Sequence, residues 1–490
     1  MRFMTRRDFL RTGLAAGAAV AVPAASGRAA GANEAIRLGL IGCGARGNVL
    51  LSHFARIDGV RIGGLCDPDQ RRLHSAGERF ANAKRWVDLR EMLDDDRIDA
   101  VVIASAVHWH ALATIWAVQA GKDVYCEKPM SHNLRESRQA ADAIEKSGRI
   151  WQHGTQQQSD PMRADIRRFL HDQRALGKVL SVRANRYDVR PPIGKRDAPL
   201  SIPGQIDYNL WLGPAQHLPV YRNNLQYDWH WDWNTGTGEM GNWGIHILDD
   251  VRNNVLPDRV ALPRRIGGGG GRVVFGDAGQ TPNVHFVYFD TGSVPVVLGL
   301  SNLPAEPGSR SPSPHTGPSS GYIAYCEGGR LEAVTAPWAP GRAVAFDRDG
   351  KEIRRFSGAG GDGLHEQNFI DAVRSRKASL LHSPIRTASD TAAWCHLANI
   401  MVRAGGRFSR AKAARVEDPS KHWNGAIEEL SELLHAHGLD MENDSLRLSG
   451  LLTVDAATEQ FIGEGADAAN ALVTRTYREP FVIPRPRSTP

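Results

Sequence analysis

Two stretches of this 490-residue chain, Glu127-Lys128-Pro129 and Gly241-Asn242-Trp243-Gly244-Ile245-His246, carry side chains suited to moving a proton. Lys128 follows Asp123 to Cys126, a short run that reads as a strand, and Pro129 stops regular strand pairing beyond it. Open α/β sheets bind ligands at the carboxyl ends of their strands. An ammonium there can stabilise an alkoxide or assist proton transfer, although a lysine in a turn, taken alone, is more often solvent-facing. If the chain is helical from Met240, Asn242 and His246 are four apart on one face, with Asp249 and Asp250 three and four residues beyond. That stripe carries an amide, an imidazole and a carboxylate. Imidazole titrates near neutrality and suits a general base, which Asp249 or Asp250 would orient if it does not contact substrate instead. An amide holds a hydroxyl but cannot ionise, so His246 and Lys128 have to share the proton work.

Aromatic residues crowd the same region. Trp229, Trp231 and Trp233, with Trp243, place four indoles near the Met240 segment, either as platforms for the apolar faces of a sugar ring or as packing between domains. His230 and Glu239 are candidates for substrate hydroxyls, as is Glu127. His108-Trp109-His110 invites a metal reading, but no cysteine or carboxylate set accompanies it at ligand spacing, and no metal is expected.

A nucleotide fingerprint precedes these stretches. Ile36 to Gly47 reads IRLGLIGCGARG, and Asp67 ends a second apolar run 20 residues after Gly47. Strand, glycine turn, helix, second strand and terminal acid stand in the required order. Gly42 permits the tight turn, Gly44 lets backbone approach a pyrophosphate, and Gly47 lets the next helix pack on the strand. Ala45 and Arg46 lie where that helix begins, its N-terminus facing the anion. Arg46, Arg71 and Arg72 raise the question of a 2′-phosphate. Asp67 would repel one and bond the ribose 2′-hydroxyl, so NAD is expected over NADP.

The elements that position these residues follow from periodicity. Helices are expected near 48–56, 70–80, 89–94, 111–120 and 134–147, and strands at 100–104, 123–126 and 150–154. The run Ala100-Val-Val-Ile-Ala104 fits a strand buried on both faces of a parallel sheet. From about Val179 the character changes to β-rich segments at 179–187, 284–289 and 296–300, with glycine- or proline-rich loops at 267–271 and 302–321. Helices return at 364–375 and 387–404. The fold class is α/β followed by α+β: a doubly wound Rossmann domain, then a domain with a large, mostly antiparallel open sheet. The expected division is a leader at 1–32, a nucleotide-binding domain at 33–152, a substrate domain at 153–417 and a mixed extension at 418–490. An exposed sheet face is costly in water, so homo-oligomerisation through it is expected.

The first 32 residues carry a separate signal: Arg6-Arg7-Asp8-Phe9-Leu10, an apolar stretch from Gly13 to Val22, and Ala30-Gly31-Ala32. This is the pattern of a twin-arginine export leader, with that export machinery as a partner and a periplasmic or otherwise exported product. The stretch is too short to span a bilayer, and no later run is long enough. The formal charge of +6 falls to +2 without the leader's five arginines and one aspartate, and no basic block remains for nucleic acid. The five cysteines, at 43, 66, 126, 326 and 395, are too scattered for a disulfide framework.

The segment 99–129, DAVVIASAVHWHALATIWAVQAGKDVYCEKP, together with Gly154-Thr155-Gln156, Trp211-Leu212-Gly213-Pro214, the Gly241–His246 stretch and Tyr477-Arg478-Glu479-Pro480-Phe481, resembles the glucose-fructose oxidoreductase and inositol dehydrogenase (Gfo/Idh/MocA) family in order along essentially all of the mature chain. The resemblance implies tightly bound NAD, held also by Ser105, Val107, His108, His110, Glu127, Lys128 and Gln156. It implies Lys128, His246 and the residue at 242 as catalytic, and a carbohydrate or glycoside as substrate. Two positions depart from the family: Ala106 stands where proline is usual, and Asn242 where many family dehydrogenases have aspartate. The implied reaction is hydride exchange between nicotinamide and a secondary carbinol. An alternative within the family is the NAD-dependent glycosidase, in which oxidation is transient and no net redox occurs. A third reading is a sugar-binding module with structural nucleotide, since fold alone does not establish activity.

Overall fold

The computed structural model describes residues 35–336 and 339–484; the leader at 1–32 lies outside the described residues. Six strands, β1 (Ile36–Ile41), β2 (Val60–Cys66), β3 (Lys84–Trp86), β4 (Ala100–Ile103), β5 (Asp123–Glu127) and β6 (Trp151–Gly154), form a parallel sheet in the order β3-β2-β1-β4-β5-β6. The order reverses between β1 and β4, and that switch point is where a doubly wound sheet opens a crevice for a ligand. β4 is fully buried, which is why it reads as an uninterrupted apolar run. β3 has no such signature, since Lys84 and Arg85 are exposed at the sheet edge.

Helices Ala45–Phe54, Gln70–Arg79, Leu89–Leu93, His110–Gln119 and Leu134–Ser147 cover the two faces. Side chains cap three of the starts: Asp69 accepts from Arg71 N, Asp88 from Arg90 N and Asn133 from Glu136 N. The helix that begins at Ala45 has no side-chain cap, so its first N–H groups are left for something else.

A second sheet of twelve strands carries the other half. β7 (Val179–Tyr187) lies at its middle between β10 (Val296–Ser301), its parallel neighbour, and β11 (Ser320–Cys326). β12 (Gly329–Val334), β13 (Arg342–Asp347) and β14 (Glu352–Ser357) extend one side in antiparallel order. β9 (Val284–Asp290), β8 (Arg265–Gly271) and the short tail strands β15 (Gly406–Arg407), β16 (Arg447–Leu448), β17 (Leu452–Asp455) and β18 (Gln460–Ile462) extend the other. The loop expected at 267–271 is therefore strand β8. A Cβ on Gly269 would stand 2.2 Å from Arg447 O and one on Gly271 2.2 Å from Ser445 O, so the glycines admit the tail's backbone beside the strand instead of breaking it.

One face of this sheet, with Val182, Val287, Phe289 and Leu298, packs on helices Ile245–Asp250 and Ile385–Ala404. Over β9 and β10 the opposite face is covered, while over β12 to β14 it carries exposed residues such as Val334 and Ile353. Helix His422–Ala436 is the cover, burying Trp423, Leu430 and Leu434 against Val284, Phe286, Tyr288 and Val297. Arg183 on β7 also pairs with Glu429 at 2.5 Å. Two further segments return to the first half: helix Leu364–Ser375 packs Phe369 on Phe54 and Tyr125, and the tail seats Phe481 against Trp109.

Candidate functional site

A cavity of about 430 Å³ opens at the switch point and runs from the glycine turn to the start of helix Ile245–Asp250. At one end Gly42, with φ +99°, turns so tightly that a Cβ would sit 2.6 Å from the Ala104 carbonyl carbon and Ser105 N. Gly44, Ala45 and Arg46 line the cavity beside the uncapped helix start, a combination suited to a pyrophosphate. Gly47 lies beneath, where a Cβ would meet Gly42 O at 2.1 Å. Asp67 reaches the same end. Its carboxylate accepts from Cys43 N at 2.7 Å and Asp69 N at 2.8 Å, and burial pushes its pKa up to about 6. Arg72, one of the arginines that raised the question of a 2′-phosphate, lines the wall 3.8 Å from Asp69. These residues fit a dinucleotide: an unobstructed backbone turn, free helix N–H groups and an acid at the second strand's end.

At the other end Lys128 leaves β5 and sends Nζ to the backbone oxygen of Asn242 at 2.6 Å and its Oδ1 at 3.2 Å. Asn242 Nδ2 donates to Glu239 Oε2 at 3.0 Å, and Glu239 Oε1 accepts from Arg186 and Arg190 at 3.2 and 3.0 Å. Asn242 is thus a bridge between a lysine and a buried glutamate. Burial lowers the Lys128 pKa to about 8, with Glu127 opposing the shift and Arg46 adding to it. Glu127 itself accepts from Arg46 Nε at 2.7 Å. Gln156 also lines this part of the cavity.

His246 lines the cavity near Lys128, and its Nδ1 is 2.9 Å from Gln157 Oε1. Burial holds its pKa well below the ordinary imidazole value, and the positive charge of Lys128 adds to this. The Met240–Gly244 turn is wider than an α-helix before regular helix resumes at Ile245, yet Asn242, Trp243 and His246 all reach the cavity. Asp249 and Asp250 do not. Asp249 is wrapped by Gln157, Gln158, Asn253 and Thr391, and Asp250 pairs with Arg163 at 2.5 Å. On a helix that turns away from the cavity they face the interior, so their expected contact with substrate or with the His246 ring is corrected.

The remaining wall comes from the crossover segment between β7 and the Met240 turn. Residues 200–230 run back to the first half: Ile206 bridges Asp69, Gln70 N donates to Gln205 O at 3.1 Å and Asp207 N to Pro68 O at 2.9 Å. This strap brings Leu210, Trp211, Gln226, Tyr227, Trp229 and His230 to the cavity. Tyr227 has φ +68°, a left-handed conformation rare outside glycine and asparagine. Trp229 stacks on His230 at 3.6 Å, and Arg186 lies 3.7 Å over Trp243. Trp231 and Trp233 are not among the cavity residues. Arg190 lies over the first and Arg403 over the second, which is the packing alternative.

The His-Trp-His entry divides. His110 lines the cavity with Ser105, its ring nitrogens 2.7 Å from Pro129 O and 2.9 Å from Ser105 O. His108 and Val107 are buried behind it; His108 holds the strap through Trp211 O and Thr235 O at 3.0 and 3.2 Å. Both were expected at the cofactor, but they are buried behind the wall that Trp109, the last residue of the same turn, and His110 line. Of the strap, Trp229 and His230 were expected at the substrate and Trp211 belonged to the Trp-Leu-Gly-Pro motif; Leu210, Gln226, Tyr227 and the neighbouring Gln157 were missed, because isolated residues of an irregular crossover carry no periodic signal.

The fold, the switch-point cavity and the glycine turn define an NAD-binding Rossmann oxidoreductase architecture. Residues 36–155 match the model for the Gfo/Idh/MocA "Oxidoreductase family, NAD-binding Rossmann fold", and residues 192–269 match that family's "C-terminal alpha/beta domain". The chain thus carries both domains of the Gfo/Idh/MocA oxidoreductases. Residues 4–23 match the twin-arginine translocation signal, which directs the protein to export by that pathway.

The chain is 30% identical over 182 residues to inositol 2-dehydrogenase 2 of Saccharopolyspora erythraea, covering 36% of this chain and 53% of that one. It is 31% identical over 123 residues to glycosyl hydrolase family 109 protein 1 of Shewanella sp. strain MR-4, covering 23% and 27%. It therefore spans about half, or less, of these curated relatives. The solved structure of levoglucosan dehydrogenase with NADH and levoglucosan is similar in fold, with a TM-score of 0.55 at 16% identity over 75% of this chain and 96% of that one.

Proposed function

We propose that this exported protein is an NAD-dependent enzyme acting on a secondary hydroxyl of a sugar or glycoside. The observation that carries the reading is the placement of a buried lysine and a neutral histidine side by side on one wall of the cavity that begins at the glycine turn. When bound, NAD supplies the acceptor and donor of hydride. Lys128 holds the reacting oxygen through its ammonium, and His246 takes or returns the hydroxyl proton. Trp229 and Trp243 offer ring faces to a pyranose. Relatives named inositol 2-dehydrogenase and glycosyl hydrolase support a carbohydrate substrate.

A second reading, the redox-neutral glycosidase, is favoured by the strap. A segment bonded across Pro68, Asp69 and Gln70 hinders nucleotide exchange, and a reaction that undoes its own oxidation needs none. The binding module without turnover is a further outcome. One experiment separates them: absorbance at the reduced-nicotinamide band of purified protein during addition of a glycoside panel. Lasting reduction identifies the dehydrogenase, and a transient signal with released aglycone the glycosidase. No response to any member overturns the enzymatic reading. For assembly we propose a single copy, because helix His422–Ala436 covers β9 and β10 on the sheet face through which a second chain was expected to pack.

A further inference from the structure

We propose that Gln157 fixes the protonation of His246, its side-chain carbonyl taking the Nδ1 hydrogen so that Nε2 is left as the proton acceptor. Gln157 is a positioning residue on this account. The orientation of its amide is set by three contacts: Nε2 is 3.1 Å from the His246 backbone oxygen and 3.3 Å from Asp249 Oδ2, while Oε1 is 2.9 Å from His246 Nδ1. Reversing the amide would turn its oxygen toward two acceptors. In the orientation that satisfies both, Oε1 can only accept, so Nδ1 must carry hydrogen.

Asp249 stands one residue further back and locks the amide. Its oxygens also accept from Gln158 at 2.5 Å, Asn253 at 3.0 Å and Thr391 at 3.1 Å, a cage of uncharged donors that anchors the carboxylate within the helix packing. The carboxylate therefore reaches the imidazole only through a neutral amide. A carboxylate directly on Nδ1 would both orient the ring and stabilise the imidazolium; an amide orients it without that charge. Burial is the main reason a positive imidazole is disfavoured, and the positive charges of Lys128, Arg46 and Arg186 add to it. His246 is thereby kept neutral and in one tautomer: a group that takes a proton in passing and gives it up readily.

The consequence for turnover rests on the hydride-transfer reading above, but the tautomer does not. Two-bond proton–nitrogen correlation spectra of histidine-labelled protein distinguish Nδ1–H from Nε2–H rings, with the His246 signal identified by its loss in His246→Gln. The expected result is Nδ1–H in the unmodified protein and Nε2–H or a mixture in Gln157→Leu. That variant should lose about tenfold or more in kcat, with sugar KM and NAD content unchanged. Gln157→Glu keeps an acceptor on Nδ1 but turns its second oxygen toward the His246 carbonyl and Asp249, so it should retain Nδ1–H while melting lower and recovering only part of the turnover lost in Gln157→Leu. An Nε2–H ring in the unmodified protein, or an Nδ1–H ring that survives Gln157→Leu, overturns the assignment. The expected tautomers in a protein that turns over no sugar would support it while removing the hydride-transfer reading.

Discussion

Lys128 is the residue on which charge and geometry converge most closely. Buried and held by Asn242, its ammonium has a pKa of about 8 where an ordinary lysine has 10.5, because burial penalises the charged form. If turnover needs the ammonium, the rate should be level below pH 8 and fall as pH rises through that value. A profile that instead rises there would mean the free amine is the working form. Lys128→Met and His246→Ala should each retain NAD, since neither touches the glycine turn, and lose about a hundredfold or more in kcat. Retained turnover in both would remove the site from this wall of the cavity.

Asn242→Asp acts on the lysine more than on the histidine. The new carboxylate would face Lys128 Nζ on one side and the Glu239 carboxylate on the other. A negative charge beside the ammonium raises its pKa, so the alkaline limb should move above pH 8. The repulsion with Glu239 should lower the melting temperature. An unmoved alkaline limb would show that another group sets it. Sequence spacing placed Asn242 and His246 together because both sit on one helical face. It could not reveal that Asn242 spends its amide on Glu239, or that Asp249, three residues past His246, has turned into the protein. Hydrogen-bond partners are decided by tertiary packing, and a residue's type constrains only what it can offer.

At the scale of elements, the first sheet was legible almost strand by strand, since each buried parallel strand needs a continuous apolar run. β3 was the exception, with two exposed basic residues at the edge. β8 was misread because five consecutive glycines normally mark a loop; here they make room for the tail's backbone. The strap had no periodicity to betray it. Its small apolar cluster, Ile206, Trp211, Leu212 and Leu225, is scattered through 20 residues of turns. If the strap retains the nucleotide, NAD should survive gel filtration of the purified protein. Ile206→Asp puts a charge into the strap's small apolar cluster at the point where Ile206 bridges Asp69. That variant should release NAD at least tenfold faster, read by the decay of protein-to-nicotinamide energy transfer on dilution. An unchanged release rate would separate the strap from retention.

At the scale of the whole molecule, the C-terminal third completes two surfaces begun elsewhere. The tail after Gly465 returns to the first half, where Arg475 approaches Glu136 at 3.3 Å and Phe481 packs on Trp109 and Trp116. Before that, helix His422–Ala436 takes the outer face of the large sheet, seating the fully buried Trp423 on Phe286 with its indole nitrogen 3.0 Å from Ala413 O. β9 has two apolar faces: Val284, Phe286 and Tyr288 on one, Val287 and Phe289 on the other. A two-faced strand demands a cover on each side without saying whose. The chain supplies both, so light scattering of the mature protein should give the mass of one copy. Trp423→Ala removes the largest side chain of that cover and should cost about 3–5 kcal/mol, as for a buried tryptophan elsewhere. The loosened helix would expose Phe286 and Tyr288 on a broad apolar face, so the variant should also gain mass with concentration. A stable dimer of the unmodified protein that Trp423→Ala leaves intact would place assembly on a different surface.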